Sequence, residues 1–233
     1  TSSAVGWTWT VEDDESLDFN MASLEALPAL GNGDIPAVSD DVLASFLTTE
    51  APDEFDDPAE LIPEAWRVRP AVDRQRLMAT VLAEVTAAVK NDVTLLLIAD
   101  DAFAVLLFYG IFRLFPAKGC FEKPLSFSTY EADPNRLRTT LAATHVHPGS
   151  DPITARSIQG GHRIVDTFAD SPLEQDISED GYGALIVRHA VDGGFEAVDR
   201  CFGEFEKANS TPAALDAMAA AMAAAGQAAI RVF

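Results

Sequence analysis

A nearly continuous apolar run, Val93 to Ile98 (VTLLLI), is the sequence feature that most constrains the fold of this chain. Before it, apolar residues between 77 and 88 recur at spacings of three and four, which predicts a helix from Val72 to Lys90. After it, Ala102 to Phe115 is apolar almost all round and is stopped by Pro116, which predicts a second helix. A strand without polar residues on either face is typical of a parallel sheet that is covered on both sides. The pattern therefore predicts an α/β fold.

Further strands are predicted on either side of the polar loop at 147–160. Leu125 to Glu131 (LSFSTYE) follows the second helix, so that strand, helix and strand form a parallel βαβ unit. Alternating or apolar runs predict further strands at Arg138 to Val146, His162 to Phe168 and Ala184 to His189. The sequence thus predicts a mostly parallel or mixed sheet flanked by helices, one of which should run from about residue 194 to residue 207.

Charge divides the chain into two unequal parts. The formal net charge is −21, yet no lysine or arginine occurs before Arg67, and the first 66 residues carry 16 of the 37 acidic side chains. We therefore predict an acidic N-terminal arm or small subdomain at 1–66 and an α/β domain at 67–233. The acidic balance disfavours binding to nucleic acid or to an anionic membrane, because both would repel this chain.

Local patterns indicate that part of the acidic arm is folded. Alternation at Val5 to Val11 (VGWTWTV) predicts a short strand, and the spacing of residues 42–47 predicts a short helix capped by Ser39 or Asp40. Thr48 to Pro63 contains three prolines and many acids, which predicts a linker or an extended wrap that is solvated. If the arm packs on the body, its nearest basic counterparts are Arg67, Arg69, Arg74 and Arg76.

Cysteine usage indicates a reducing compartment. Cys120 and Cys201 are too few for a disulfide framework, and each lies in an apolar stretch where a free thiol behaves as a small hydrophobe. The first residues lack the basic and apolar regions of a signal peptide, and the longest apolar run is too short to cross a membrane. These features favour a cytoplasmic location.

Two acids, Asp100 and Asp101, follow the apolar strand, at the position where open α/β sheets place ligand sites. In a nucleotide-binding protein such acids hold Mg²⁺, but that role requires a phosphate-binding loop, and no G-x-x-x-x-G-K-[ST] occurs here. The favoured interpretation is that Asp100 or Asp101 caps the helix that begins at Ala102.

The histidines His145 and His147 form an H-x-H pair near a predicted strand end, so both rings could face the same side. Two imidazoles begin a zinc or iron site, but a third ligand is needed. Asp151 is nearby and His162 or Asp166 could fold over, although no spacing in the sequence compels it. The pair supports an alternative hypothesis, a metal-dependent hydrolase in which Asp100, Asp101, His145 and His147 converge on one ion that activates water.

Alternation within LSFSTYE places three hydroxyl side chains, Ser126, Ser128 and Tyr130, on one face of the strand. Ser128 lacks the G-x-S-x-G context of a nucleophile, and the sequence places no base beside it. The hydroxyl row is therefore interpreted as a polar face turned toward a loop or a partner. The candidate ligand or partner face comprises Ser126, Ser128, Tyr130, Asp100 and Asp101.

The central block from Val93 to Glu131 resembles the middle region of the bacterial GTPase-associated protein 1 family. The resemblance rests on the acid-terminated strand VTLLLIADD, on the helix end Leu114 to Pro116, and on the SFSTY strand at Ser126 to Tyr130. It implies an α/β adaptor or regulatory component that works with a GTPase or another NTPase in a bacterial signalling or conflict system. The resemblance carries over neither catalytic residues nor a cofactor.

Each motif considered above lacks at least one part that its chemistry requires. We therefore predict a non-catalytic interaction domain with a protein partner, no cofactor and no catalytic residues, and we keep the metal-dependent hydrolase as the alternative.

Overall fold

A computed structural model describes residues 38–50, 55, 61–116, 125–128, 131, 137–145, 161–169, 181–206, 215 and 217–222. The predictions for Trp7, Trp9, Cys120, Tyr130 and His147 lie outside these residues. The described helices and strands are, in chain order, α1 (Asp40–Thr48), α2 (Glu64–Arg67), α3 (Ala71–Lys90), β1 (Leu95–Ile98), α4 (Asp101–Arg113), β2 (Phe127–Ser128), β3 (Leu141–Thr144), β4 (Arg163–Asp166) and α5 (Tyr182–Glu206). Residues 217–222 are also helical.

The four described strands form one parallel sheet in the order β2-β3-β1-β4. The apolar run at β1 lies in the interior of the sheet, where all four of its residues are buried, as its composition predicts. β1 and β2 are parallel, but β3 lies between them, so the predicted strand–helix–strand unit crosses over a neighbouring strand. The predicted α/β class is confirmed.

The two faces of the sheet bury different side chains. Leu95 and Leu97 point into the main core, which contains the buried residues of the described helices. Leu96 and Ile98 point the other way and form a second, smaller cluster with Ala142. Because a strand alternates its side chains between its faces, a strand buried on both sides must be apolar throughout.

The long helix α3 is central to the helical layer and contacts α1, α4 and α5. On α1, the four residues Val42, Leu43, Phe46 and Leu47 are buried in the same core. Its N-cap is Ser39, whose hydroxyl accepts a 3.4 Å hydrogen bond from the backbone N–H of Val42, which confirms one of the two predicted caps. The described helix of the acidic arm therefore packs on the α/β body.

Two expectations about individual segments are wrong. Ala184 to His189 is not a strand but lies in the first part of α5, which is kinked at Gly194 (φ 68°). Tyr182 is buried before the kink and Val198 after it. A short apolar run does not distinguish a strand from a buried helical turn, and here the helical continuation decides. Within the predicted solvated linker, Leu61 and Ile62 are buried in the main core, because the chain turns inward just before α2.

Two arginines connect the acidic arm to the body. Arg74 on α3 donates hydrogen bonds to the backbone carbonyls of Phe46 (2.6 Å) and Thr49 at the end of α1. Arg113 on α4 forms ion pairs with Asp40 (2.8 Å) and with Asp199 of α5 (2.7 Å). Arg74 is among the predicted basic counterparts of the arm's acids, but its guanidinium donates to backbone carbonyl groups. The carboxylate of Asp40 in the arm pairs instead with Arg113, which the sequence did not indicate.

At Gly183, α5 lies close against α3. A Cβ atom at this position would lie 2.6 Å from the carbonyl oxygen of Ala79 and 3.1 Å from the Cβ of Leu82. We expect Gly183→Ala to lower the free energy of unfolding by about 1–3 kcal/mol, because backbone cannot move aside as a flexible side chain can. Gly203→Ala is the control, since a Cβ there meets nothing within 4 Å. Urea denaturation should show that control to be neutral or stabilised by up to about 1 kcal/mol, and equal losses in both variants would contradict the prediction.

Candidate functional site

The carboxyl ends of β1, β3 and β4 gather ionisable side chains at one edge of the sheet. In the register, Ile98 lies opposite Thr144 on one side and Asp166 on the other. Asp100 and Asp101 follow β1, and His145 follows β3. Since the strands are parallel, these residues leave the sheet at the same edge, where α/β proteins place ligand sites.

A contact between Asp101 and His145 joins the start of α4 to the end of β3. The Nδ1 atom of His145 lies 2.9 Å from Oδ1 of Asp101; the side chain of His145 is 16% exposed and that of Asp101 67% exposed. Asp101 lies in the first turn of α4, where a negative charge is favoured by the helix dipole. A carboxylate beside an imidazole can orient the ring, which is one component of a general-base or metal site.

Asp100 occupies the N-cap position of α4, as predicted, but its side chain makes no capping hydrogen bond. The prediction is therefore confirmed for the position of the cap, but not for a hydrogen bond from its side chain. Burial of part of the group and the neighbouring charge of Asp101 raise the pKa of Asp100, and His145 opposes this increase.

Asp166, at the end of β4, is half-buried, and its carboxylate accepts a 3.0 Å hydrogen bond from the backbone N–H of Phe168. Burial raises the pKa of Asp166, although the N–H groups of Phe168 and Ala169 oppose the increase. The folded protein therefore holds this proton more tightly than the unfolded chain does. The resulting stabilisation is fully present below the unfolded pKa and is lost as the pH rises through the folded pKa.

The neutral variant Asp166→Asn tests this sign, because its amide oxygen can still accept from Phe168. We expect the variant and the parent protein to have equal stability near pH 3, where the carboxyl is protonated in both states. Above the folded pKa the variant should become the more stable protein, because only the parent then buries a charge. Urea denaturation from pH 3 to pH 7 measures the difference, with the exposed Asp192→Asn as the control. A difference that grows toward low pH would contradict the assignment.

Among the residues that the structure describes, no group of three or more His, Cys, Asp or Glu side chains is arranged to hold a metal ion. Asp101 and His145 come together, as the hydrolase hypothesis requires, whereas His147 lies outside the described residues. Two ligands do not make a zinc or iron site. The hydrolase hypothesis therefore stays a prediction.

The two described serines of the hydroxyl row, Ser126 and Ser128, lie away from this edge. Ser126 Oγ accepts a 2.9 Å hydrogen bond from the N–H of Thr140 and lies 3.2 Å from its hydroxyl, so it joins β2 to the start of β3. Ser128 lies opposite Ala142 of β3. Ala142 precedes His145 by three residues, so Ser128 lies about 10 Å from the level of His145 along the strand direction. Phe127 points to the helices and packs against Phe108 and Phe112, so the predicted alternation holds. The structure does not bring the serines together with Asp100 and Asp101.

A second surface, which the sequence reasoning missed, lies where the turn between α2 and α3 meets the end of β4. Trp66 is buried, and its Nε1 donates a 3.2 Å hydrogen bond to the carbonyl oxygen of Thr167. The flanking side chains of Val68 (60% exposed), Val72 (62%) and Phe168 (46%) are the large apolar groups that the described part of the chain leaves in solvent.

Three arginines lie close in the chain to Val68 and Val72. Arg69 stacks over the Trp66 ring with its guanidinium carbon 4.3 Å from the ring centroid. Arg76 is exposed one helical turn after Val72, and Arg67 is half-buried at the end of α2. We call the six residues Val68, Val72, Phe168, Arg67, Arg69 and Arg76 the arginine-rimmed patch. The available sequence signal was the spacing of Val72 and Arg76, one turn apart on the predicted helix.

The described thiol Cys201 is free and only partly buried on α5, and burial raises its pKa, so it favours the unreactive protonated form. Within the described ranges, no helix combines the length and hydropathy that crossing a membrane requires.

Comparisons with protein-family models, with curated proteins and with solved structures find no match to this chain. The family resemblance of the central block therefore stays a prediction.

Proposed function

We propose that this chain is a non-catalytic cytoplasmic adaptor that binds a protein partner through the arginine-rimmed patch. The observation that supports the proposal is the exposure of Val68, Val72 and Phe168 beside three arginines. Exposed apolar groups that are rimmed by polar residues often mark an interaction site. Aromatic residues and arginine are also the residue types enriched in protein interfaces.

The resemblance of the central block suggests the class of partner, a GTPase or another NTPase of a bacterial signalling or conflict system. The partner's contact surface should be acidic, since it must complement Arg67, Arg69 and Arg76. The candidate catalytic groups offer less support for an enzyme. Ser126 holds two strands together, and Asp101 with His145 lacks a third described ligand.

The test uses a GTPase from the native host, loaded with GDP or with a GTP analogue, and measures its binding to the full chain by calorimetry at low salt. A variant with Val68→Ser, Val72→Ser and Phe168→Ser should bind at least about tenfold more weakly, because hot-spot side chains dominate interface energy. The control variant carries Lys90→Ser, Arg138→Ser and Arg188→Ser, three exposed positions outside the patch. Equal binding by the two variants, or the absence of binding to any host NTPase, would overturn the proposal.

The contact between His145 and Asp101 supports the second candidate, a metal-dependent hydrolase acting on a phosphate or ester. Elemental analysis after incubation with Zn²⁺, Mn²⁺ or Fe²⁺ tests it directly. The hypothesis expects about one metal ion per chain, and it expects His145→Ala to lose that ion. A chain that retains none of the three metals is not such an enzyme.

A further inference from the structure

The arginines of the patch have no carboxylate partner among the described residues, although the chain is strongly acidic. Among the described residues, no carboxylate forms an ion pair with Arg67, Arg69 or Arg76. The Nε atom of Arg67 is buried and donates no hydrogen bond. A buried N–H of a charged group costs free energy when it lacks an acceptor. Among the described residues, the patch therefore has positive charge without a carboxylate counter-charge and a buried N–H donor without an acceptor.

The chain itself contains a segment of matching chemistry. Residues 7–19 (WTWTVEDDESLDF) carry five acidic side chains and no basic ones, together with three aromatic residues, Trp7, Trp9 and Phe19. Apolar residues suit Val68, Val72 and Phe168, and carboxylates suit the arginine rim. An arginine paired with a carboxylate in two-pronged geometry is among the stronger polar contacts in proteins.

We infer that residues 7–19 bind the arginine-rimmed patch of the same molecule and shield it from a partner. The inference concerns the surface on which the proposed function rests, but its test needs no partner. Failure of the partner experiment would therefore leave this inference standing, and failure of this inference would leave the partner experiment to be decided separately.

The connecting chain is long enough for this contact. Eighteen residues lie between Phe19 and Val38, the first described residue. Such a stretch spans up to about 60 Å when extended and about 25 Å on average when flexible. α1 is about 14 Å long, and its last turn is bound by Arg74, which is only two residues from Arg76 on α3. A tether of this length gives an effective concentration in the millimolar range, so weak contacts suffice.

Hydrogen–deuterium exchange on the full chain tests the inference. Residues 7–19 should exchange at least about tenfold more slowly than an unstructured peptide of the same sequence. That protection should be lost in the patch variant (Val68→Ser, Val72→Ser, Phe168→Ser) and in the charge-reversal variant (Arg67→Glu, Arg69→Glu, Arg76→Glu). It should persist in the charge control (Lys90→Glu, Arg138→Glu, Arg188→Glu), which changes the net charge by the same amount. Exchange in α3 and β1 checks that each variant is folded.

Three results would overturn the inference. The first is exchange of residues 7–19 at the peptide rate in the parent protein. The second is equal protection in all the variants, which would place the segment elsewhere on the molecule. The third is protection that increases with protein concentration alongside dimerisation in sedimentation, which would make a second copy the source of the bound segment. In the parent protein, 0.5 M salt should weaken the protection, since the rim contacts are screened.

Discussion

Arg74→Met should lower the free energy of unfolding by about 3–5 kcal/mol, which is a large part of the stability of a typical domain. Arg74 is fully buried and donates to four backbone carbonyl groups, those of Phe46, Thr49, Trp66 and Arg69. Methionine fills much of the same volume but donates to none of these oxygens. Each buried acceptor left without a donor costs about 1–3 kcal/mol.

Arg74 stabilises the fold through the shape of its guanidinium group as well as through its positive charge. Burial lowers the pKa of Arg74, and the nearby Glu50 and Asp73 only partly oppose this. Arg74→Lys should therefore recover only part of the stability, because an ammonium group cannot reach several carbonyls in the planar geometry of a guanidinium. Urea denaturation gives the values, and the exposed Arg188→Met is the matched control, which we expect to lie within about 0.5 kcal/mol of the parent.

The same variant has a local consequence for the acidic arm. Arg74 binds the last turn of α1, and Gln75 donates a 2.8 Å hydrogen bond to the carbonyl of Leu47 beside it. Arg74→Met should therefore speed amide exchange in α1 more than in α4. A variant as stable as the parent, with unchanged exchange in α1, would show that these carbonyl contacts contribute little.

The second large effect concerns Glu84 and Arg163, which join the middle of α3 to the first residue of β4. Glu84 is buried, and Arg163 Nη2 donates a 2.6 Å hydrogen bond to its Oε1 while Nε pairs with Oε2. This hydrogen bonding raises the pKa of Arg163, and partial burial opposes the increase. Arg163→Met leaves a buried carboxylate without its counter-charge. We expect a loss of about 2–4 kcal/mol, less than for a fully buried pair, because the Arg163 side chain is 41% exposed.

A double-mutant cycle separates the pair from the cost of leaving one charge alone. The double variant Glu84→Leu with Arg163→Met removes both charges, and we expect it to lie within about 1 kcal/mol of the parent protein. The single variant Arg163→Met should be clearly less stable than this double variant. If the double variant is the less stable of the two, the interaction is not the buried ion pair that the structure shows.

Local sequence patterns determined most of the helices and strands of this protein. The helix predicted to end at Lys90 does so, because Asp92 takes a left-handed backbone (φ 53°) and the N–H of Val93 returns to the carbonyl of Ala88. The cap at Ser39 and the apolar run of β1 were likewise readable, since each depends on neighbours in the sequence. The segment at 184–189 was misassigned because four apolar residues fit either a strand or a buried helical turn.

Tertiary structure decided what the polar residues do, because the partners of a side chain are set by contacts between residues distant in the sequence. The sequence placed Asp100, Asp101 and His145 near strand ends, but the parallel order of β1 and β3 brought Asp101 and His145 within 2.9 Å. The register of β2 separated Ser126 and Ser128 from that edge. The exposure of Val68, Val72 and Phe168 depends on Trp66 joining α2 to the end of β4, across 101 residues of chain. Periodicity follows from local backbone geometry, whereas burial and pairing follow only from the packed fold.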